Sequence, residues 1–346
     1  MFGKTVVGLL KRVASFKALA TVAMAFFLIG GTPLSSGAEK VVFSLDWVPY
    51  GRDAGFFAAK AKGFLKEQGL TVKILRGKGS ADSIKRLTTG KADYANPDAG
   101  TVVIFRAKGM KVKLLGAFHA KTVMTVVSFK NGPIQSLKDF EGRTCSDSAF
   151  SATHRVFPAL ARKSGVDPDK VKWQFMNPGS IGAAFLSGKV DCTGMYAPNL
   201  VSLQKGAVQA GKKLNVFRFA DLGLDIYSNS MSATDSKVAS KPDEVRRFLR
   251  GMYKGLAWSV KHPEEAVDTI LKEMPVLNRD TALKHWAIAV EHLFDDGAKK
   301  NGIGFLDRKK VAFTRDIMVE ASGLKVKPAL DDLYTTAFLP KIMVKR

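Results

Sequence analysis

Two helical stretches with the same opening and the same exit set the strongest limit on what this chain can fold into. The first opens at Gly79-Ser80 and ends Leu87-Thr88-Thr89-Gly90-Lys91-Ala92-Asp93; the second opens at Gly179-Ser180 and ends Leu186-Ser187-Gly188-Lys189-Val190-Asp191. In each copy the serine is expected to cap the helix N-terminus and the glycine to take the left-handed position that closes it. Each helix then feeds a short strand, at 92–95 and at 190–195. One such unit is ordinary α/β grammar. Two with matching exits predict two similar α/β lobes.

The remaining segments fit that plan. Residues 40–46 alternate apolar and polar and predict a first strand; 72–75, 112–118, 143–146 and 171–175 predict others. Residues 55–68 predict a helix with Phe57, Ala61, Phe64 and Leu65 on one side, and 101–108 a second. After 229 the pattern turns to long helices opened by Lys241-Pro242-Asp243, Pro263-Glu264-Glu265 and Arg279. Strands alternating with crossover helices imply mostly parallel sheets.

The first thirty-eight residues read separately. Lys4, Lys11, Arg12 and Lys17 precede an apolar run at 18–30 that is too short to span a bilayer, and Ser36-Gly37-Ala38 follows. This is the layout of a secretory signal peptide cut near Ala38; the alternative is a membrane anchor. No later stretch reaches transmembrane length, so no stable membrane insertion is expected. Without these residues the formal charge falls from +23 to +19. The cations are scattered, with no dense basic block, which argues against nucleic acid as a partner. A solvated basic surface, or a field that draws in anionic ligands, remains. The length suggests two domains. Cys145 and Cys192 fall at equivalent places on what should be neighbouring strands. Export permits a bridge between them, whereas buried free thiols are the commoner state of core cysteines.

Several stretches, in order, resemble a known family. They are Leu45-Asp46-Trp47-Val48-Pro49-Tyr50 with Gly55-Phe56-Phe57-Ala58-Ala59-Lys60, Gly90-Lys91-Ala92-Asp93 with Asp98-Ala99-Gly100, Leu137-Lys138-Asp139-Phe140-Glu141-Gly142-Arg143, and Lys241-Pro242-Asp243-Glu244-Val245-Arg246-Arg247-Phe248-Leu249. Over roughly residues 40–255 the chain is similar to type II periplasmic solute-binding proteins of the thiamine-pyrimidine-precursor and nitrate/sulfonate/taurine group. The resemblance implies an α/β, two-lobed type II periplasmic-binding-protein fold with mostly parallel sheets, a hinge, and a C-terminal helical tail packed on the first lobe. Crossings are then expected near 125–129 and 225–231, with residues 39–127 plus 230–346 as lobe 1 and 128–229 as lobe 2. It further implies a periplasmic monomer that passes a small-molecule ligand to an ABC transporter permease, with no catalytic residue, cofactor or metal. Fungal relatives instead make the thiamine pyrimidine, using a pyridoxal cofactor and a Cys-rich segment that nothing here resembles. A ligand-sensing receptor would share the same clamp.

Ligands of open α/β sheets sit beyond the carboxyl ends of the strands, which selects the loops after Asp46, Ala95, Phe118, Ser146 and Met195. Trp47 can stack on a flat ring or serve as a half-buried structural residue. Tyr50 and Arg52 stand where pyrimidine-binding relatives place Asn and His, which leaves the ligand's identity open. Asn96 offers donor and acceptor, Asp98 can take a ring amine or cap the next helix, and His119 follows the fourth strand. Ser148, Ser151 and Thr153 can grip a polar edge or an anion. Pro158 conflicts with a helix begun at Ser151, so that helix is expected to start late or with a distorted turn. Tyr196 is a second aromatic wall, and Tyr227 and Asn229 close the site from the hinge or simply pack there. The expected ligand is a small flat heterocycle such as a thiamine pyrimidine precursor. Arg52, Lys121 and Arg155 keep nitrate, a sulfonate or an aromatic carboxylate open.

Overall fold

A computed structural model describes residues 38–344; the expected leader, except Ala38, lies outside them. The first lobe opens with β1 (Glu39–Ser44), α1 (Ala54–Ala61), β2 (Leu70–Leu75), α2 (Ser80–Thr88), β3 (Tyr94–Ala95), α3 (Ala99–Ala107) and β4 (Val112–Ala117). The second contains β5 (Met124–Phe129), β6 (Thr144–Asp147), α4 (Thr153–Lys163), β7 (Lys172–Phe175), α5 (Pro178–Leu186), β8 (Cys192–Tyr196), α6 (Leu200–Gln209) and β9 (Leu214–Arg218). The chain returns through β10 (Ser230–Thr234) and α7 (Asp235–Ser240). It ends in α8 (Pro242–Lys261), α9 (Pro263–Glu273), α10 (Arg279–His292), α11 (Asp296–Asn301), α12 (Arg308–Ala321) and α13 (Leu330–Leu333).

The two sheets repeat one order, β2-β1-β3-β10-β4 and β7-β6-β8-β5-β9. Strand β1 runs parallel to β3, and β6 runs parallel to both β7 and β8. The reversed strands are β10 and β5, antiparallel to both of their neighbours. Each is the strand that enters its sheet from the other lobe. The expected parallel character therefore holds, with one exception per sheet that marks where the chain crosses.

The repeated exits end as expected, with Gly90 and Gly188 at φ 69° and 76°. The serines do not cap. Ser80 Oγ accepts from the Asp98 N–H at 3.0 Å, and α5 begins earlier, at Pro178, with Ser180 Oγ donating to the Asn177 carbonyl. A proline in the first turn already has helical φ and no N–H to satisfy, so the start needs no serine. The helix expected over 55–68 stops at Ala61, because Gly63 takes φ 87°, and a short 3-10 turn (Lys66–Gln68) follows. Helix α4 starts at Thr153 and runs straight through Pro158 at the expense of one backbone bond. Strand β9 and helices α11 to α13 carry too little periodicity to be foreseen.

Apolar packing explains the tail. Helices α8 and α9 lie on α1. Phe43 meets Phe56 edge-on at 5.2 Å, Phe56 meets Phe118 at 4.6 Å, and Tyr94 stacks on Phe248 at 3.8 Å. Further along, α10 reaches the Ala197–Asn199 turn and α12 reaches α4, so the tail also touches the second lobe. Among the described residues no helix is long and apolar enough to cross a membrane.

Parallel pairing of β6 and β8 sets Cys145 directly opposite Cys192, and the two form a disulfide with Cα atoms 4.4 Å apart. Of the two states the sequence left open, that register gives the bridge. The bridge spans 47 residues, a loop whose closure restricts the unfolded chain by roughly 4 kcal/mol. Replacing both cysteines by serine is expected to lower the unfolding free energy by about 2–4 kcal/mol in urea denaturation. Two titratable thiols in denatured, unreduced protein would rule the bridge out.

Candidate ligand-binding cleft

Between the ends of β1 and of β6 and β8 lies a cavity of about 310 Å³. Asp46, Trp47, Tyr50 and Arg52 reach it from the loop after β1, and Ser80 from the start of α2. Asp147, Ser151 and Thr153 reach it from the loop after β6, and Tyr196, Asn199 and Ser202 from beyond β8. Ile181 and Leu186 of α5, with Leu203, form an apolar wall. The structure thus brings together six of the expected residues: Trp47, Tyr50, Arg52, Ser151, Thr153 and Tyr196.

The other six are buried and do not line it. Asn96 Oδ1 accepts from the Asp46 N–H at 2.9 Å, and the Asn96 carbonyl accepts from Asn229 Nδ2 at 2.6 Å. His119 Nδ1 lies 3.3 Å from Asn229 Oδ1. Asp98 caps α3 through the Thr101 N–H and accepts from Ser228 Oγ. Tyr227 Oη accepts from the Asp307 N–H at 2.7 Å. Ser148 Oγ donates across the cleft to the Lys78 carbonyl at 2.9 Å.

Among the described residues Arg52 is the only cation lining the cavity, and it is 1% exposed. Its Nη2 meets Asp46 Oδ1 at 2.8 Å, and its guanidinium lies 5.1 Å from the centre of the Tyr196 ring. Burial works against its charge, but the Asp46 and Asp53 carboxylates outweigh burial and raise its pKa. Asp53 is pushed up to about 6 by burial, opposed by Arg52. His285 is pushed down to about 4 by burial and by Arg52; its Nε2 meets Ser202 Oγ at 3.1 Å. Arg52 Nε and Nη1, Asn96 Nδ2 and His119 Nε2 have no hydrogen-bond partner. Arg52 and Asn96 thus leave buried donors beneath the cleft, whereas His119, whose Nδ1 faces Asn229 Oδ1, leaves an acceptor.

The lobes meet at the rim. The Ala81 N–H donates to the Phe150 carbonyl at 3.1 Å, directly over Gly79, whose φ of 147° and lack of a side chain allow the Phe150 backbone to approach. With the Ser148–Lys78 and Ser202–His285 contacts, this seam holds the cavity between the lobes.

A family model described as NMT1/THI5 like matches residues 52–266. The chain belongs to that family. Riboflavin-binding protein RibY of Chloroflexus aurantiacus is 23% identical over 313 residues, covering 87% of this chain and 86% of the relative. The formylaminopyrimidine-binding protein of Halalkalibacterium halodurans is 24% identical over 243 residues, covering 69% and 72%. Among solved structures, the periplasmic aliphatic sulphonate binding protein SsuA of Escherichia coli aligns with a TM-score of 0.61 at 14% identity, over 85% of this chain and 96% of that one. That likeness shows the two-lobed fold alone.

Sequence reasoning missed Asp46 and Asp147 as lining residues. The signal was present, since both stand just beyond or at the end of the first strand of their sheet's repeat unit, β1 and β6. Asp147 Oδ1 accepts from the Ser148 N–H and its Oδ2 from the His154 N–H.

Burial pushes Asp98 up to about 7, against the hydrogen bonds from Thr101 and Ser228. Its folded value lies above the unfolded one of about 3.9. The stabilisation tied to its proton is therefore complete below the unfolded value and lost as pH rises through about 7. Asp98→Asn keeps an acceptor for the cap and is expected to flatten this dependence between pH 5 and 8, read by urea unfolding. Parallel profiles for variant and wild type would contradict it.

Proposed function

We propose that the protein is the solute-binding component of an ABC importer, exported to the periplasm, and that it closes on a small, flat, nitrogen-bearing heterocycle. The observation that carries this is the chemistry of the cavity: Trp47 and Tyr50 from one lobe and Tyr196 from the other, with the carboxylates of Asp46 and Asp147. Aromatic faces take a flat ring by offset stacking, and carboxylates accept from ring N–H and amino groups. Trp47 is half-buried and stacks on no other ring among the described residues, so its face is available. A bare nitrate, sulfonate or aromatic carboxylate would meet two carboxylates and one guanidinium already paired with Asp46, a lining that repels it. The names of the two bacterial relatives, binders of riboflavin and of formylaminopyrimidine, support a flat heterocycle without choosing between them. On this reading the protein binds rather than converts its ligand, acts as a monomer, and delivers it to a permease after hinge closure.

Titration with riboflavin and with hydroxymethylpyrimidine is expected to quench tryptophan fluorescence for at least one of them. Trp47→Ala is expected to weaken that binding by about 1–3 kcal/mol. An unchanged dissociation constant in the variant removes stacking from the account; failure of both ligands to bind counts against the heterocycle.

A further inference from the structure

The ligand cavity does not end at its aromatic walls. At Pro178 and Gly179 it adjoins a second cavity of about 240 Å³, which Arg76, Lys78 and Arg86 line. A third, sharing Arg76 and Arg86, continues outward past Lys85 and Lys91. Among the described residues Asp82 is the only carboxylate lining these two cavities, and it is engaged by Arg86 Nη2 at 2.9 Å. The side chains of Arg76 and Lys78 have no hydrogen-bond or ion-pair partner among the described residues. The cavity between the lobes thus carries more carboxylate than cation, whereas the neighbouring cavity that shares Pro178 and Gly179 with it has Arg76, Lys78 and Arg86 as its charged lining.

These cations stand on a fixed loop. The Gly77 N–H donates to the Trp47 carbonyl at 2.9 Å, Arg86 Nη1 donates to the Arg76 carbonyl at 2.7 Å, and the Lys78 carbonyl accepts from Ser148 Oγ of the other lobe at 2.9 Å. The loop that joins the lobes through Ser148 and Lys78 also holds Arg76 and Lys78 in the lining of the cavity next to the aromatic chamber. A ligand that complements both parts has a ring with N–H donors inside and a negative charge at the mouth.

We infer that the ligand is a heterocycle bearing a phosphate ester, its ring in the aromatic chamber and its phosphate between Arg76, Lys78 and Arg86. This rests on the heterocycle reading above and names the class more closely. A phosphomonoester carries between one and two negative charges at neutral pH, enough to engage two unpaired cations.

The test compares matched pairs, riboflavin with riboflavin 5′-phosphate and hydroxymethylpyrimidine with its phosphate, by calorimetry and stopped flow on the mature full chain. The phosphorylated member of the pair that binds is expected to bind about tenfold tighter at low salt, mainly through slower dissociation. In R76S/K78S the difference within that pair is expected to fall to about twofold; comparing two ligands on one variant separates this loss from any misfolding. Equal affinity within the pair in the wild type overturns the phosphate and leaves the heterocycle standing. A preference carried wholly by association rate also overturns it, because that is steering rather than a seat. Binding of no member of either pair overturns the heterocycle reading and the phosphate with it.

Discussion

The backbone carbonyl of Asn229 accepts from the N–H groups of both Phe118 and His119, at 2.8 and 2.9 Å, and the Ser228 N–H donates to the His119 carbonyl at 3.2 Å. These bonds fasten to each other the two segments that pass between the lobes, and the cleft depends on them. Asn229 then reaches Asn96 through its side chain, and Asn96 reaches the Asp46 N–H. The end of β1, and with it the loop carrying Trp47, Tyr50 and Arg52, is thereby built against the pivot. A buried polar chain of this kind has one satisfied arrangement, and breaking any link strands a donor at about 1–3 kcal/mol. The first lobe's half of the cavity is therefore tied by hydrogen bonds to the segments that join the lobes.

That arrangement is costly. Among the described residues, two nitrogens of Arg52 and one each of Asn96 and His119 lack a hydrogen-bond partner in fully buried positions. Apolar packing immediately behind them offsets the expense: Phe43, Phe56 and Phe118 form a continuous contact under the same loops. Burying such rings removes about 150–250 Å² apiece from water. Unsatisfied polar atoms are concentrated at the cleft and apolar cohesion just beneath it.

Most of the architecture was legible because helix exits are a local matter. Gly90 and Gly188 need positive φ wherever a helix must turn sharply into a strand, and the two matching exits expose the repeat without any tertiary knowledge. Strand direction is not local. The resemblance places crossings near β5 and β10, but only the passage between lobes makes these strands run against their neighbours. The cleft was half legible for a related reason. A strand-exit loop can be found from sequence, so Trp47, Arg52 and Tyr196 were found; where a side chain points from an extended crossing segment cannot, so Tyr227 and Asn229 were assigned to the cavity while they pack behind it. Asp46 and Asp147 stand at the same strand exits but were not named as lining residues. Only two lobes face to face turn them into opposite sides of one site.

The net charge of +23 shows why composition reaches no further. Charges spread over a surface act through water and salt, and beyond about 8–10 Å they are largely screened. They set how fast an anion or an acidic surface is encountered. Inside the cleft, burial removes that screening, and a few groups decide the field: two carboxylates and a guanidinium already paired with one of them. A strongly basic chain can therefore hold a chamber that rejects a bare anion. The same chain can also gather unpaired cations at the mouth of that chamber, where a ligand's charged end would come to rest. The sign that matters for recognition is local, and it changes over the length of a single small molecule.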